Sequence, residues 1–216
     1  MLKALLLDLD GTLAETDSLH FPTWADALEP YGIQVDEEFY KENISGRLNP
    51  DIVEDLLPHV SEEEGRQIAD TKEADFRRRA DELESLPGLI PFLEKARSQG
   101  LKLALVTNAP EENVHAILDG LNLGDAFDAM FLAREVGAGK PDPAPYLTAL
   151  EQLGLAPDET IAFEDSASGI VSATEAGIPT VGIASTTHDP KKLREAGAFM
   201  VTDDFTDPEC VALLDD

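Results

Sequence analysis

Asp8 and Asp10 stand two residues apart at the end of the chain's first apolar run, and Gly11-Thr12-Leu13 follows them. Three further groups of polar residues close or follow later apolar runs. Thr107-Asn108 ends the run from Leu101, Lys140-Pro141 follows Gly139, and Glu164-Asp165-Ser166 ends the run from Thr160, with Gly169 close behind. In an open parallel sheet, ligands bind beyond the carboxyl ends of the strands, so these groups are expected to meet at one edge. Four carboxylates beside one ammonium repel strongly, and a divalent cation would leave a tolerable net charge of −1. Hard oxygen donors with no His or Cys nearby in sequence suit Mg²⁺ rather than Zn²⁺.

The elements that must position these residues alternate. Lys3–Asp8, Leu101–Thr107, Ala129–Leu132, Thr160–Glu164, Pro179–Ile183 and Ala198–Val201 read as short buried strands. Helical periodicity separates them: 88–99 stopped by Gly100, a stripe of Val114, Ile117, Leu118 and Leu121, 143–153 closed by Gly154, and 166–176 closed by Gly177. Such alternation predicts βαβ units and a parallel sheet, an α/β Rossmann-like core. Residues 15–83 interrupt it with helical, strongly charged periodicity and no strand signal. Leu19, Trp24, Ala27, Leu28 and Tyr31 form one stripe, and Ile52, Val53, Leu56 and Leu57 form another. Ser61 with Glu64 reads as a capping box opening a long polar helix. The expected organisation is a core of 1–14 and 84–216, with an all-helical domain of 15–83 inserted after the first strand.

Asp8-x-Asp10-Gly-Thr-Leu, Thr107-Asn108, Lys140-Pro141 and Glu164-Asp165-Ser-x-x-Gly169 together resemble the four motifs of the haloacid dehalogenase superfamily, in order and spacing. Within it the chain is similar to the branch of β-phosphoglucomutases and sugar-phosphate phosphatases that carry a helical cap. The resemblance implies an aspartyl-phosphate mechanism, with Asp8 as nucleophile, Asp10 as acid and then base, and Thr107 and Lys140 on the phosphoryl oxygens. It implies Mg²⁺ held by Asp8, Asp10 through its carbonyl, and Asp165, with Glu164 a ligand through water or an orienting group. Asp10, two residues on, is expected to point as Asp8 does. Asn108 is a substrate ligand or, with Glu111, the cap of the next helix. The cap is expected to close over the core site and choose the substrate through His20, Arg47 and Lys72. His59, His115 and His188 are assigned no role.

The implied function is a Mg²⁺-dependent phosphatase acting on a small phosphorylated metabolite, a sugar phosphate or a phosphoglycolate-like compound. The alternative is a β-phosphoglucomutase-type isomerase. His20, Arg47 and Lys72 fit the mutase, whereas Gly46-Arg47-Leu48-Asn49 and Thr107-Asn108 depart from it. A haloacid dehalogenase has no leaving alkoxide for Asp10 to protonate. A phospho-accepting signalling module is shorter and has no cap.

Composition excludes other classes. The 216 residues hold 44 acidic and 16 basic groups, a net charge of −28, which argues against binding a phosphate backbone. No apolar run approaches the ~20 residues of a membrane helix. The apolar start, Leu2–Leu7, has neither a basic lead nor a small-residue cleavage site, so no signal peptide is expected. A single cysteine, Cys210, fits a reducing cytoplasm, and a monomer is the default. The excess of acid reads either as a solvated surface that aids solubility or, more sharply, as adaptation to high salt, where self-repulsion is screened.

Overall fold

The computed structural model describes residues 1–185 and 189–215; His188 lies outside them. The chain divides into two compact units, Met1–Glu15 with Glu84–Asp216, and Thr16–Leu83.

The first unit is built on a six-stranded sheet with the order β3-β2-β1-β4-β5-β6. Its strands are β1 (Ala4–Leu7), β2 (Lys102–Thr107), β3 (Ala129–Leu132), β4 (Thr160–Glu164), β5 (Thr180–Ile183) and β6 (Met200–Thr202). Every neighbouring pair is parallel. Strand β1 is central and all four of its residues are buried, as a continuous apolar run in a doubly covered sheet requires. Side chains alternate across the sheet. Leu6, Ala104, Val106 and Ala162 share one core cluster with Phe131, Tyr146, Ala149 and Leu150. Phe163, the next residue on β4, packs instead with Phe92 and Phe205, at ring separations of 5.0–5.6 Å.

The second unit is helical: α1 (Asp17–Leu28), α2 (Glu37–Asn43), α3 (Asn49–Leu56) and α4 (Glu62–Arg78). Its core joins Trp24, Leu28, Tyr40, Ile44, Ile52, Val53, Leu57 and Ile68. Ser61 caps α4, its hydroxyl accepting from the Glu64 amide at 3.2 Å. Helix α2 has no clear apolar stripe in sequence; Asp36 starts it by accepting from the Phe39 amide at 2.8 Å. Asp17 ties α1 to this region, accepting from the Tyr40 hydroxyl at 2.7 Å and from Ser45 at 3.0 Å.

The first unit continues with α5 (Leu89–Ser98), α6 (Glu111–Gly120), α7 (Ala133–Val136), α8 (Ala144–Leu153), α9 (Ala167–Glu175), α10 (Pro190–Glu195) and α11 (Pro208–Ala212). Ala14 bridges both Asp10 and Ser85, so the chain leaves the sheet unit and re-enters it side by side. Among the described residues no helix is long and apolar enough to cross a membrane.

Surface ion pairs such as Arg66–Glu63 and Arg78–Asp75 contribute little each, while the net charge of −28 acts against compactness everywhere. Raising KCl from 0.05 to 1 M shortens the screening length to about 3 Å. The thermal midpoint is therefore expected to rise, by about 4–8 °C if screening contributes about 2 kcal/mol. A calorimetric scan at the two salt levels checks this, and an unchanged midpoint contradicts the high-salt reading.

Candidate active site

The sheet register brings the site together. Leu7 pairs with Phe163, so the residues that follow them, Asp8 and Glu164, emerge beside one another at the carboxyl edge. Strand β1 ends at Leu7, so Asp10 lies beyond it, in a turn that the Gly11 amide closes on the Ala14 carbonyl at 2.8 Å. Gly11 has φ +70°, and a Cβ there would lie 2.0 Å from the Asp165 Oδ2. Only glycine both tolerates that backbone and lets Asp165 close in.

Asp8, Glu164 and Asp165 each offer an oxygen within 4.8 Å of the others. All three are buried, Glu164 completely. Burial pushes the Asp8 carboxyl up to about 7, with Glu164 and Asp10 adding to the rise and Lys140 opposing it. Burial, then Asp8 and Glu164, hold Asp165 well above the usual carboxylate range. Glu164 is also raised by burial, against Lys140 and Tyr146. One ammonium therefore does not balance the cluster, and a divalent cation would favour the ionised forms. The Glu164 Oε2 is buried without a hydrogen-bond partner, an oxygen placed for such a ligand. The donor set fits a hard cation.

Lys140 lies in the middle of the cluster. Its Nζ donates to Asp8 Oδ1 and to Glu164 Oε1, each at 2.5 Å. Burial works against its charge, but Asp8 and Glu164 outweigh that and hold the ammonium above its ordinary range. The loop that carries it is fastened at several points. The Lys140 amide donates to Asn108 Oδ1 at 2.9 Å, and Asn108 Nδ2 donates to the Lys140 carbonyl at 3.2 Å. Ser172 donates to the Asp142 carbonyl at 2.6 Å, and the Ala144 amide donates to Asp142 Oδ1 at 2.8 Å.

Asn108 is thus not a helix cap: Pro110 occupies the N-cap of α6 with no side-chain bond, and the Asn108 amide is committed at both ends to the Lys140 main chain. Thr107 is buried at the end of β2, and its Oγ1 accepts from the Ala109 amide at 3.0 Å. Ser166 caps α9 by accepting from the Gly169 amide at 3.1 Å. A Cβ on Gly169 would stand 1.8 Å from Glu164 Oε2.

The other candidates belong to the helical unit. The Lys72 Nζ is 2.7 Å from His20 Nδ1 and 3.0 Å from Glu73 Oε1. His20 stacks on Phe76 at 4.2 Å, and the Lys72 ammonium lies 5.5 Å from the ring centroids of Trp24 and Phe76. Asn49 extends the chain, donating to Glu73 at 2.6 Å. His20 and Lys72 therefore form one polar group, where the sequence offers two separate residues. Arg47 is not part of it. Its guanidinium donates to the Asn43 carbonyl at 3.0 Å, to the Asp51 carbonyl at 3.3 Å and to the Asp55 carboxylate.

Tyr146 was not singled out by type or spacing, yet it belongs to the core site. It is fully buried and donates to Glu164 Oε1. Burial first, then the charges of Glu164 and Asp8, hold its hydroxyl well above the ordinary range, in the neutral form that can donate. The signal is present: Tyr146, Ala149 and Leu150, with the half-buried Leu153, form an apolar stripe on α8, and a buried tyrosine hydroxyl needs a partner.

Two substitutions test this geometry. Gly169→Ala must displace Glu164, and an activity loss of about tenfold or more is expected while circular dichroism stays unchanged. Asn108→Ala unfastens the Lys140 loop, and kcat is expected to fall about 10–100-fold. A variant with wild-type kcat in either case contradicts the positioning described here.

Known proteins carry the same arrangement of chain. Over 207 residues the sequence is 34% identical to a phosphorylated carbohydrates phosphatase of Thermotoga maritima, covering 91% of this chain and 92% of that one. It is 28% identical to a β-phosphoglucomutase of Bacillus subtilis, over 84% of this chain and 83% of that one. The crystal structure of CbbY from Rhodobacter sphaeroides in complex with phosphate superposes with a TM-score of 0.87 at 27% identity, covering all of both chains. The sequence pattern of haloacid dehalogenase-like hydrolases matches residues 2–177, a span that takes in Asp8, Asp10, Thr107, Lys140, Glu164 and Asp165, and the chain belongs to that family.

Proposed function

We propose that this protein is a Mg²⁺-dependent phosphatase that hydrolyses a small phosphorylated carbohydrate through an aspartyl phosphate on Asp8. The observation that carries the reading is the meeting of Asp8, Glu164 and Asp165 around Lys140 at the edge of the sheet. The carboxylate of Asp8 attacks phosphorus while the P–O bond to the leaving group breaks. Asp10 gives its proton to the departing alkoxide. It then takes one from the water that attacks the phosphoryl group, which releases inorganic phosphate and restores Asp8.

Lys140 holds the Asp8 carboxylate in place and, with Thr107 and the amides that follow it, faces the phosphoryl oxygens. A magnesium ion held by Asp8, the Asp10 carbonyl and Asp165, with Glu164 supporting, would supply positive charge against those oxygens. Asn108 keeps Lys140 in position. His20 and Lys72 are the groups of the helical unit proposed to select the substrate. Arg47 contributes less to that choice, because its guanidinium is taken up by Asn43, Asp51 and Asp55. The lone, buried Cys210 supports placing the protein in a reducing cytoplasm, and a monomer is the default.

The test is phosphate release across a panel of sugar phosphates, sugar bisphosphates and phosphoglycolate. Release that stops on adding EDTA, returns with Mg²⁺ and falls on the order of 10³-fold or more in Asp8→Asn is the expected result. Conversion of β-glucose 1-phosphate to glucose 6-phosphate with a bisphosphate primer, without net release, would replace the phosphatase by the mutase. Silence in both assays would overturn the reading.

A further inference from the structure

We infer that Tyr146 is a positioning residue for the cation: its hydroxyl, together with Lys140, fills Glu164 Oε1 and so presents Oε2 to the metal. For the identity of that cation the inference rests on the function proposed above.

The position of Tyr146 follows from the fold. It lies on α8, which begins four residues after Lys140, and packs on the sheet face that holds Leu6 and Ala162. Asp8 and Glu164 are two residues beyond those two. A long side chain on that face therefore reaches the carboxylates from below. Packing alone asks only for a ring; phenylalanine fills the same space. The hydroxyl is what reaches Glu164 Oε1.

The same oxygen accepts from Lys140 Nζ at 2.5 Å, and that ammonium lies 5.6 Å from the Tyr146 ring centroid. With two donors Oε1 is satisfied. Oε2 is buried without a partner and lies against the bare Cα of Gly169. A buried unpaired carboxylate oxygen is costly unless a ligand takes it, and the terminal torsion of a glutamate is broad and soft. The tyrosine hydroxyl removes that softness. It decides which oxygen the cation meets, without itself touching the cation or the substrate.

Calorimetric titration of Mg²⁺, or of Mn²⁺, into metal-free protein tests this directly. Tyr146→Phe is expected to weaken the metal Kd about tenfold, in the range of supporting groups around metal ligands. The metal concentration for half-maximal activity should rise in parallel, while KM for substrate at saturating metal stays within about twofold. In a Glu164→Gln background the same change should add nothing, because the hydroxyl then has no carboxylate to orient.

An unchanged metal Kd in Tyr146→Phe, with only a lower thermal midpoint, would overturn the inference and leave the hydroxyl a packing detail. Additive losses in the double variant would overturn it too, because Tyr146 would then act by another route. The calorimetry reads binding and not turnover, so it decides the role of Tyr146 even if no substrate in the panel is hydrolysed.

Discussion

Three buried carboxylates around one ammonium are the constraint on which the rest of the sheet unit depends. Ion pairing in a low-dielectric site stabilises only when charges match and every polar atom has a partner. Here they do not match. Lys140 reaches Asp8 and Glu164, Asp165 adds a third negative charge, and one Glu164 oxygen is left without a bond. The arrangement makes sense as one half of a charge balance whose other half would be a divalent cation. The surrounding structure therefore has to keep an unfavourable cluster in place, and it does so with neutral contacts.

Those contacts are the amide of Asn108 on the Lys140 main chain, Ser172 on the Asp142 carbonyl, the Tyr146 hydroxyl on Glu164, and two glycines that leave room. None of them adds charge. Each removes a degree of freedom from a group that carries it. Electrostatic catalysis depends on such preorganisation, since a charge already in place does not have to be moved during the reaction. The parallel register does the coarse work by bringing Asp8 beside Glu164. The loop before α8 and the tyrosine within it do the fine work.

Much of this was legible in the sequence, and the exceptions have physical causes. The six strands and the long helices of the sheet unit follow from apolar runs bounded by Gly and Pro, a strong local signal. Asp8, Asp10, Thr107, Glu164 and Asp165 fall at strand ends or just after them, where the fold class itself directs attention, while Lys140 lies in the loop between α7 and α8. Helix α2 escaped notice because a seven-residue helix with four charges shows no stripe. Asn108 reads in sequence as a substrate ligand or a helix cap, and the structure commits its side-chain amide to the Lys140 main chain and not to α6. Its partner is 32 residues away, and a residue before a helix looks the same whether it caps that helix or reaches across to a loop. Tyr146 was read as part of a core helix. That is correct for its ring and silent about its hydroxyl, because the partner of a buried polar tip is a tertiary fact. His20 and Lys72 were named separately; only packing around Phe76 makes them one group.

The two units answer different physical demands. The sheet unit must hold charges that repel, so its polar residues face inward and are fastened to the main chain. The helical unit has its own hydrophobic core around Trp24 and Ile52, and one buried basic group, Lys72, already balanced by Glu73 and bonded to His20. A balanced polar group costs less to keep than an unbalanced one. A substitution at His20, Lys72 or Asn49 therefore acts on one connected network within that unit.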